Sequence, residues 1–161
     1  MRGTLNDSIQ IGNALAARDT LLAAMPHITA DQFNALMRAQ IPLSTFLGIT
    51  ALEVGAGSAV LRLPFTPAAL RPGGVQSGPA LMALADLAMY AAVMGLYGNE
   101  PRVLSSDLSM NFLRRAPDQA LLGRCSVLGL DARRALARTE IVPEAGDARL
   151  ICLVTANYAL P

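Results

Sequence analysis

One carboxylate within a long apolar segment is the first candidate for chemistry in this chain. Residues 79–94 contain a single charged residue, Asp86. Because an unpaired charge is costly to bury, Asp86 needs a hydrogen-bond partner or water. Acids in such surroundings occur at catalytic sites, where they act as general bases or nucleophiles. The alternative is a structural carboxylate that is hydrogen-bonded to a neighbouring strand.

A glycine-rich turn leads directly into this apolar segment. Residues 71–78 read RPGGVQSG, and Pro79 suits the first position of a helix. The sequence predicts a helix from Pro79 to Met94, roughly 24 Å long, with Ser77 or Gly78 as its N-cap. The N–H groups at the start of such a helix can stabilise a negative charge. Gly78 is the natural donor because glycine permits close approach, whereas Pro79 has no N–H.

The surrounding pattern predicts a sheet that wraps this helix. The helix is apolar on all faces, which indicates burial in a protein core or a membrane. The segment is short for a membrane span and carries Asp86, and strand-like segments surround it, so a core helix is the better interpretation. Strands are predicted at residues 48–54, 58–65, 102–114, 120–130, 133–142 and 148–159. An antiparallel sheet of about six strands buries one long apolar helix only by curving round it, which gives an α+β architecture.

The N-terminal part has a different pattern. A helix is predicted at about residues 13–25 and another at residues 30–40, with Thr29 as cap and Asp31 in the first turn. We therefore expect a helical extension over residues 1–45 and the main domain over residues 46–161.

Composition excludes several classes of function. The chain has 161 residues, 53% hydrophobic and 16% charged, which favours an apolar surface shared with another subunit. A net charge of +1 gives no electrostatic case for nucleic acid or a membrane surface. His27 is the only histidine, and Cys125 and Cys152 lack metal-ligand spacing, so we expect no metal and no histidine-dependent nucleophile. The N-terminus lacks a continuous apolar stretch typical of signal peptides, so we expect a cytoplasmic protein.

The order of elements, with these residues, resembles the hotdog fold and within it the PaaI-like acyl-CoA thioesterases, over about residues 46–158. That family has a turn of the form Asn-x-x-Gly-x-x-His-Gly-Gly and an acidic residue nine positions after the His. Here the acid is Asp86, and nine positions before it stands Ser77. Gly74 and Gly78 match two glycines of the turn, and Ser105 falls near a serine of the family's next strand.

The end of that strand also matches, with some departures from the pattern. Residues 112–116 read FLRRA, where the family has a segment like FLRPA, so Arg115 replaces the proline. Ser77 stands where the family has His, Pro79 where it has the second glycine, and Arg71 where it usually has Asn.

The resemblance implies hydrolysis of a small or medium acyl- or aryl-CoA thioester. Gly78 would stabilise the carbonyl oxygen, and Asp86 would act as general base or nucleophile. The two residues are eight positions apart on one helix, roughly 12 Å, so one carbonyl cannot contact both. We therefore expect each site to pair Gly78 of one subunit with Asp86 of another in a homodimer, and whether dimers pair into tetramers stays open.

Further residues are expected to bind substrate. Gln76 and Ser77 are candidates to position the carbonyl or water, Gly74 belongs to the ligand loop or a simple turn, and Ser105 and Ser106 are expected beside Asp86. The candidates for the phosphates of coenzyme A are Arg71, Arg114 and Arg115. No cofactor is expected, since coenzyme A belongs to the substrate.

Two alternatives remain open. The replacement of the family His motivates a hotdog protein that binds an acyl-CoA or another apolar ligand without turnover. A hydratase or dehydratase of the same fold is disfavoured, because those enzymes usually rely on a His with an acid.

Overall fold

The computed structural model describes residues 25–100 and 102–161. Its helices are α1 (Ala30–Gln40), α2 (Pro42–Leu47) and α3 (Gly78–Tyr97). The strands are β1 (Thr50–Gly55), β2 (Ser58–Leu63), β3 (Leu70–Arg71), β4 (Val75–Gln76), β5 (Leu104–Phe112), β6 (Leu121–Leu130), β7 (Arg134–Pro143) and β8 (Cys152–Ala159). The expected helix near residues 13–25 lies almost wholly outside the described residues.

Helix α1 begins where the sequence predicts. Thr29 and Gln32 form a capping box, in which each side chain accepts a hydrogen bond from the other residue's backbone N–H. The side chain of Asn34 is bonded to the backbone of Ala51 in β1, donating to its carbonyl at 2.9 Å and accepting from its N–H at 2.8 Å. Helix α2 was not predicted: Pro42 lies beyond the end of α1 and is the first residue of α2.

Six antiparallel strands form the main sheet, in the order β1-β2-β6-β7-β8-β5. The predicted antiparallel sheet of about six strands is therefore confirmed, and β1 and β5 are its edges. A separate two-stranded hairpin, β3 and β4, precedes α3. The sequence indicated only a Pro/Gly-rich loop there, because strands of two residues leave no periodic signal.

Helix α3 packs into the concave face of the sheet, as predicted. Thirteen of its residues are buried, and Gly123 of β6 lets the side chain of Leu84 approach within 3.0 Å of the position a Cβ would occupy. The helix is long and apolar enough to cross a membrane, but 72% of its most apolar window is buried inside the protein. One side of α3 stays open, where Pro79 is exposed, Met82 is 46% exposed, and Asp86 and Tyr90 are half-buried.

Strand β5 departs from the predicted alternation. The alternation in residues 104–112 predicts Leu104, Leu108, Met110 and Phe112 on one face, but a bulge between Ser105 and Asp107 shifts the phase. Ser105 lies opposite Tyr158, and Leu108 lies opposite Ala156, so Ser105 and Leu108 share one face of the sheet. Leu104 lies on the other face and is 64% exposed. A single extra residue in a strand reverses the facing of everything on one side of it.

The last turn of α3 contacts the β1–β2 hairpin through backbone atoms. A Cβ on Gly95 would lie 2.0 Å from the carbonyl oxygen of Gly55, a contact that neither backbone can relieve without moving. We therefore expect Gly95→Ala to lower the free energy of unfolding by about 3 kcal/mol, despite alanine's higher helix propensity, as measured by urea denaturation.

Gly129→Ala is the matched control. A Cβ there meets only the Cβ of Leu136 at 4.0 Å, and we expect unfolding free energy within about 1 kcal/mol of wild type. Equal stabilities of the two variants would contradict the proposed backbone contact.

Candidate active site

Asp86 is hydrogen-bonded to a residue of the last strand. The Tyr158 hydroxyl donates to Asp86 Oδ1 at 2.7 Å and also lies 3.0 Å from the backbone oxygen of Asp86. Tyr158 is 2% exposed, whereas Asp86 is half-buried on the open side of α3. Among the described residues, Asp86 Oδ2 has no hydrogen-bond partner, so one carboxylate oxygen is held and the other is unengaged.

Tyr158 remains a neutral donor in this arrangement. Burial raises the pKa of its phenol far above the usual value, and the negative charge of Asp86 and the hydrogen bond to it raise this pKa further. The alternation of apolar residues in 150–158 predicts Tyr158 on the same face as Val154 and Ala156, which is buried, but does not identify its partner. The available signal was weak: a buried phenol needs an acceptor, but nothing local in the sequence says which one.

Ser105 and Ser106 do not hydrogen-bond to Asp86, contrary to expectation. The bulge in β5 places Ser105 opposite Tyr158 and turns Ser106 aside. The Ser106 hydroxyl instead donates to the backbone oxygen of Asn157 at 3.0 Å.

The N-terminus of α3 presents one free donor. Ser77 is the N-cap, and its hydroxyl oxygen accepts a long 3.4 Å hydrogen bond from the Ala80 N–H. Pro79 has no N–H, and the structure gives the Gly78 N–H no acceptor within the described residues. A Cβ on Gly78 would lie 3.3 Å from the ring of Phe112, so glycine also permits close packing here.

Gln76 is buried and hydrogen-bonded within the fold. It is 3% exposed, and its Nε2 donates to the backbone oxygen of Gln119 at 2.7 Å. Its Oε1 is buried without a partner in the described part of the chain. Nε2 keeps a second N–H, so the expected role of Gln76 in positioning a carbonyl or water stays a prediction.

The glycine turn lies between β3 and β4. Gly73 and Gly74 have φ of 93° and 70°, and the Gly74 N–H donates to the oxygen of Arg71 at 3.2 Å. These left-handed conformations favour glycine, so the turn itself accounts for both residues. Arg71 is exposed on this hairpin.

Two of the three candidate arginines lie together beside this turn. Arg115 Nη2 is 3.5 Å from the Gly73 oxygen, and Arg114 Nη1 donates to the Leu150 oxygen at 2.8 Å. Both line an open cavity of about 300 Å³ together with Arg149, which is paired with Asp147 at 2.9 Å. Arg71 does not line this cavity.

The comparisons with known proteins match this arrangement of elements. The family model of the thioesterase superfamily matches residues 73–148, from the glycine turn to the segment between β7 and β8. No curated protein matches the chain in sequence.

Solved structures are similar over most of the chain. A mutant of the phenylacetic acid degradation protein PaaI from Thermus thermophilus is 26% identical, with 74% of this chain and 99% of that chain covered and a TM-score of 0.67. A putative thioesterase from Silicibacter sp. TM1040 is 27% identical, with 84% and 94% covered and a TM-score of 0.76. The PaaI protein of E. coli is 22% identical, with 82% and 93% covered and a TM-score of 0.70, and supports the fold alone.

The pKa of Tyr158 predicts how stability depends on pH. The unfolded chain releases this proton near pH 10, whereas the folded protein retains it, so stability is lost as pH rises above about 10. We expect urea unfolding between pH 8 and 11 to show a steeper loss for wild type than for Tyr158→Phe, by up to ~1.4 kcal/mol per pH unit above pH 10.

Two buried thiols also make the folded protein less stable as pH rises. Both thiols are present in wild type and in Tyr158→Phe. Burial raises the pKa of Cys125 to about 12 and that of Cys152 to about 11. Tyr97→Phe serves as the control because Tyr97 is exposed. Parallel pH profiles for wild type and Tyr158→Phe would contradict the raised pKa of Tyr158.

Proposed function

Because the chain belongs to the thioesterase superfamily, as a hotdog-fold protein similar to PaaI, we propose that it hydrolyses coenzyme A thioesters of small or medium acyl or aryl groups. One observation carries this proposal: Asp86 is half-buried on the apolar helix α3, with one oxygen held by Tyr158 and the other unengaged. Two similar structures are PaaI proteins associated with phenylacetic acid degradation, which motivates aryl esters in the substrate panel.

In the proposed reaction, the Gly78 N–H and the helix dipole stabilise the carbonyl oxygen as it becomes negative. Asp86 acting as base takes a proton from water, and the water oxygen bonds to the carbonyl carbon. The C–S bond then breaks, and the coenzyme A thiolate takes up a proton, leaving a carboxylic acid. If Asp86 is instead the nucleophile, it forms a mixed anhydride that water hydrolyses to the same products.

The proposed site lies between two subunits. Gly78 and Asp86 are eight residues apart on one continuous helix, roughly 12 Å, so a single thioester needs the Gly78 of one chain and the Asp86 of its partner. The open side of α3 and the exposed apolar residues Leu104 and Phe112 on edge strand β5 support a homodimer. Pairing of dimers into a tetramer remains to be measured.

Substrate binding outside the reacting atoms is also part of the proposal. The cavity lined by Arg114 and Arg115 is assigned to phosphates of coenzyme A, and Arg71 to a more peripheral contact. Further contacts are proposed for residues that surround the N-terminus of α3 and strand β5: Gly74, Gln76, Ser77, Ser105 and Ser106. We also propose that residues 46–161 form the hotdog domain and that residues 1–45 are an extension to it. The proposed location is the cytoplasm.

Asp86→Asn tests the proposed function. The amide keeps the shape and can still accept a hydrogen bond from Tyr158, but it no longer serves as a base, so we expect hydrolysis to fall by about 100-fold or more. Released thiol is measured over acyl-CoA chain lengths and aryl-CoA esters, with thermal unfolding as the check on folding. Undiminished hydrolysis by this variant would refute the role of Asp86.

The same panel of esters distinguishes hydrolysis from the alternative function, which is ligand binding without turnover. Acyl-CoA binding by wild type, measured by calorimetry, together with no turnover of any ester would favour a hotdog protein that binds its ligand without hydrolysis. The weak Ser77 cap and the missing N–H of Pro79 motivate this comparison.

Mixed dimers test the shared site. Gly78→Pro removes the free N–H at a position where proline is tolerated, and Gly78→Ala is its control because it adds a Cβ but keeps the N–H. Neither Gly78→Pro nor Asp86→Asn alone should be active. Co-folded in equal amounts they should regain about a quarter of wild-type activity, because half of the dimers are mixed and each holds one intact site of two. A mixture as inactive as its components would place both residues of a site on one chain.

A further inference from the structure

The hydroxyl of Tyr158 lies where it can fix the orientation of the Asp86 carboxylate. It reaches Asp86 from β8, on the opposite layer of the fold, and donates to Oδ1 at 2.7 Å. Its second acceptor, the backbone oxygen of Asp86 at 3.0 Å, belongs to the same residue. Two contacts to one residue restrict both the position of the carboxylate and the rotation that would exchange its two oxygens.

The ring of Tyr158 is itself held firmly. It is 2% exposed, and its strand pairs with β5 on one side and β7 on the other, opposite Ser105 and Ala135. The bulge in β5 occurs beside this pairing, between Ser105 and Asp107. Tyr158 is therefore held by the sheet, and its hydrogen bond links Asp86 of α3 to the sheet.

Few titratable groups act on the hydroxyl of Tyr158. The titratable groups that act on Tyr158 are Asp86 and Tyr90 of α3 and Cys125 of β6. Burial raises the pKa of Tyr90 and of Cys125, so both are neutral near pH 7. Asp86 is thus the only charge among these groups, and the neutral hydroxyl of Tyr158 is a donor aimed at it.

We propose that Tyr158 is a positioning residue for the reaction, which holds Asp86 Oδ1 so that Oδ2 alone faces the thioester or the attacking water. This inference rests on the proposed function for its catalytic consequence.

Tyr158→Phe keeps the ring and removes the hydroxyl. We expect kcat to fall on the order of tenfold to a hundredfold with KM nearly unchanged, because the carboxylate is no longer held in its reactive geometry.

Tyr90→Phe is the matched control. Tyr90 lies one turn after Asp86 on the same side of α3, and its ring packs edge-on against Phe33 at 5.8 Å between centroids. We expect Tyr90→Phe to lower kcat much less than Tyr158→Phe does. A rise in KM as large as the loss of kcat in Tyr158→Phe would show a merely structural role and overturn the inference, as would unchanged kinetics.

A second measurement decides the pairing without any activity. In an ultraviolet absorbance titration, Asp86→Asn should let Tyr158 ionise at lower pH than in wild type, because the neighbouring negative charge is gone. An unaltered titration overturns the pairing. If wild type hydrolyses no ester, the proposed function fails, and this titration still tests whether Tyr158 senses the charge of Asp86.

Discussion

The packing of α3 against the sheet is the constraint on which the rest of the structure depends. A helix with thirteen buried residues removes a large apolar area from water, and it does so only because six strands curve around it. Any polar group on such a helix needs a partner from the sheet. Asp86 obtains one in Tyr158, while its position on the open side of the helix leaves the second oxygen accessible to chemistry.

Local signals in the sequence were sufficient for most of the fold. Pro79 and the apolar run define α3, and the alternation in β2 and β8 agrees with their buried faces. The six main strands differ from their predicted bounds by only a few residues at either end. These features depend on residues close together in the chain, where turn chemistry and periodicity act directly.

What escaped prediction depends on contacts between distant parts of the chain. The bulge in β5 is set by its pairing with β8, some fifty residues later, and it reverses the facing of Leu104 and Ser105. The partner of Asp86 is seventy-two residues away, and the amide of Gln76 bonds to Gln119, forty-three residues away. No periodicity within a segment encodes such pairs, so the hydrogen-bond partners of Asp86 and Gln76 could not be predicted from the sequence.

Asn34 gives the two edges of the sheet different properties. Its side-chain amide bonds both the N–H and the C=O of Ala51, as a neighbouring strand would, and so covers part of β1 with a helix. Unpaired strand edges are templates for chain-to-chain growth. A sheet that is blunted on one side and open on the other can join a second copy once, through its open strands, and has no equivalent edge for adding a third. The amide of a single asparagine thereby shields part of one sheet edge from pairing with another chain.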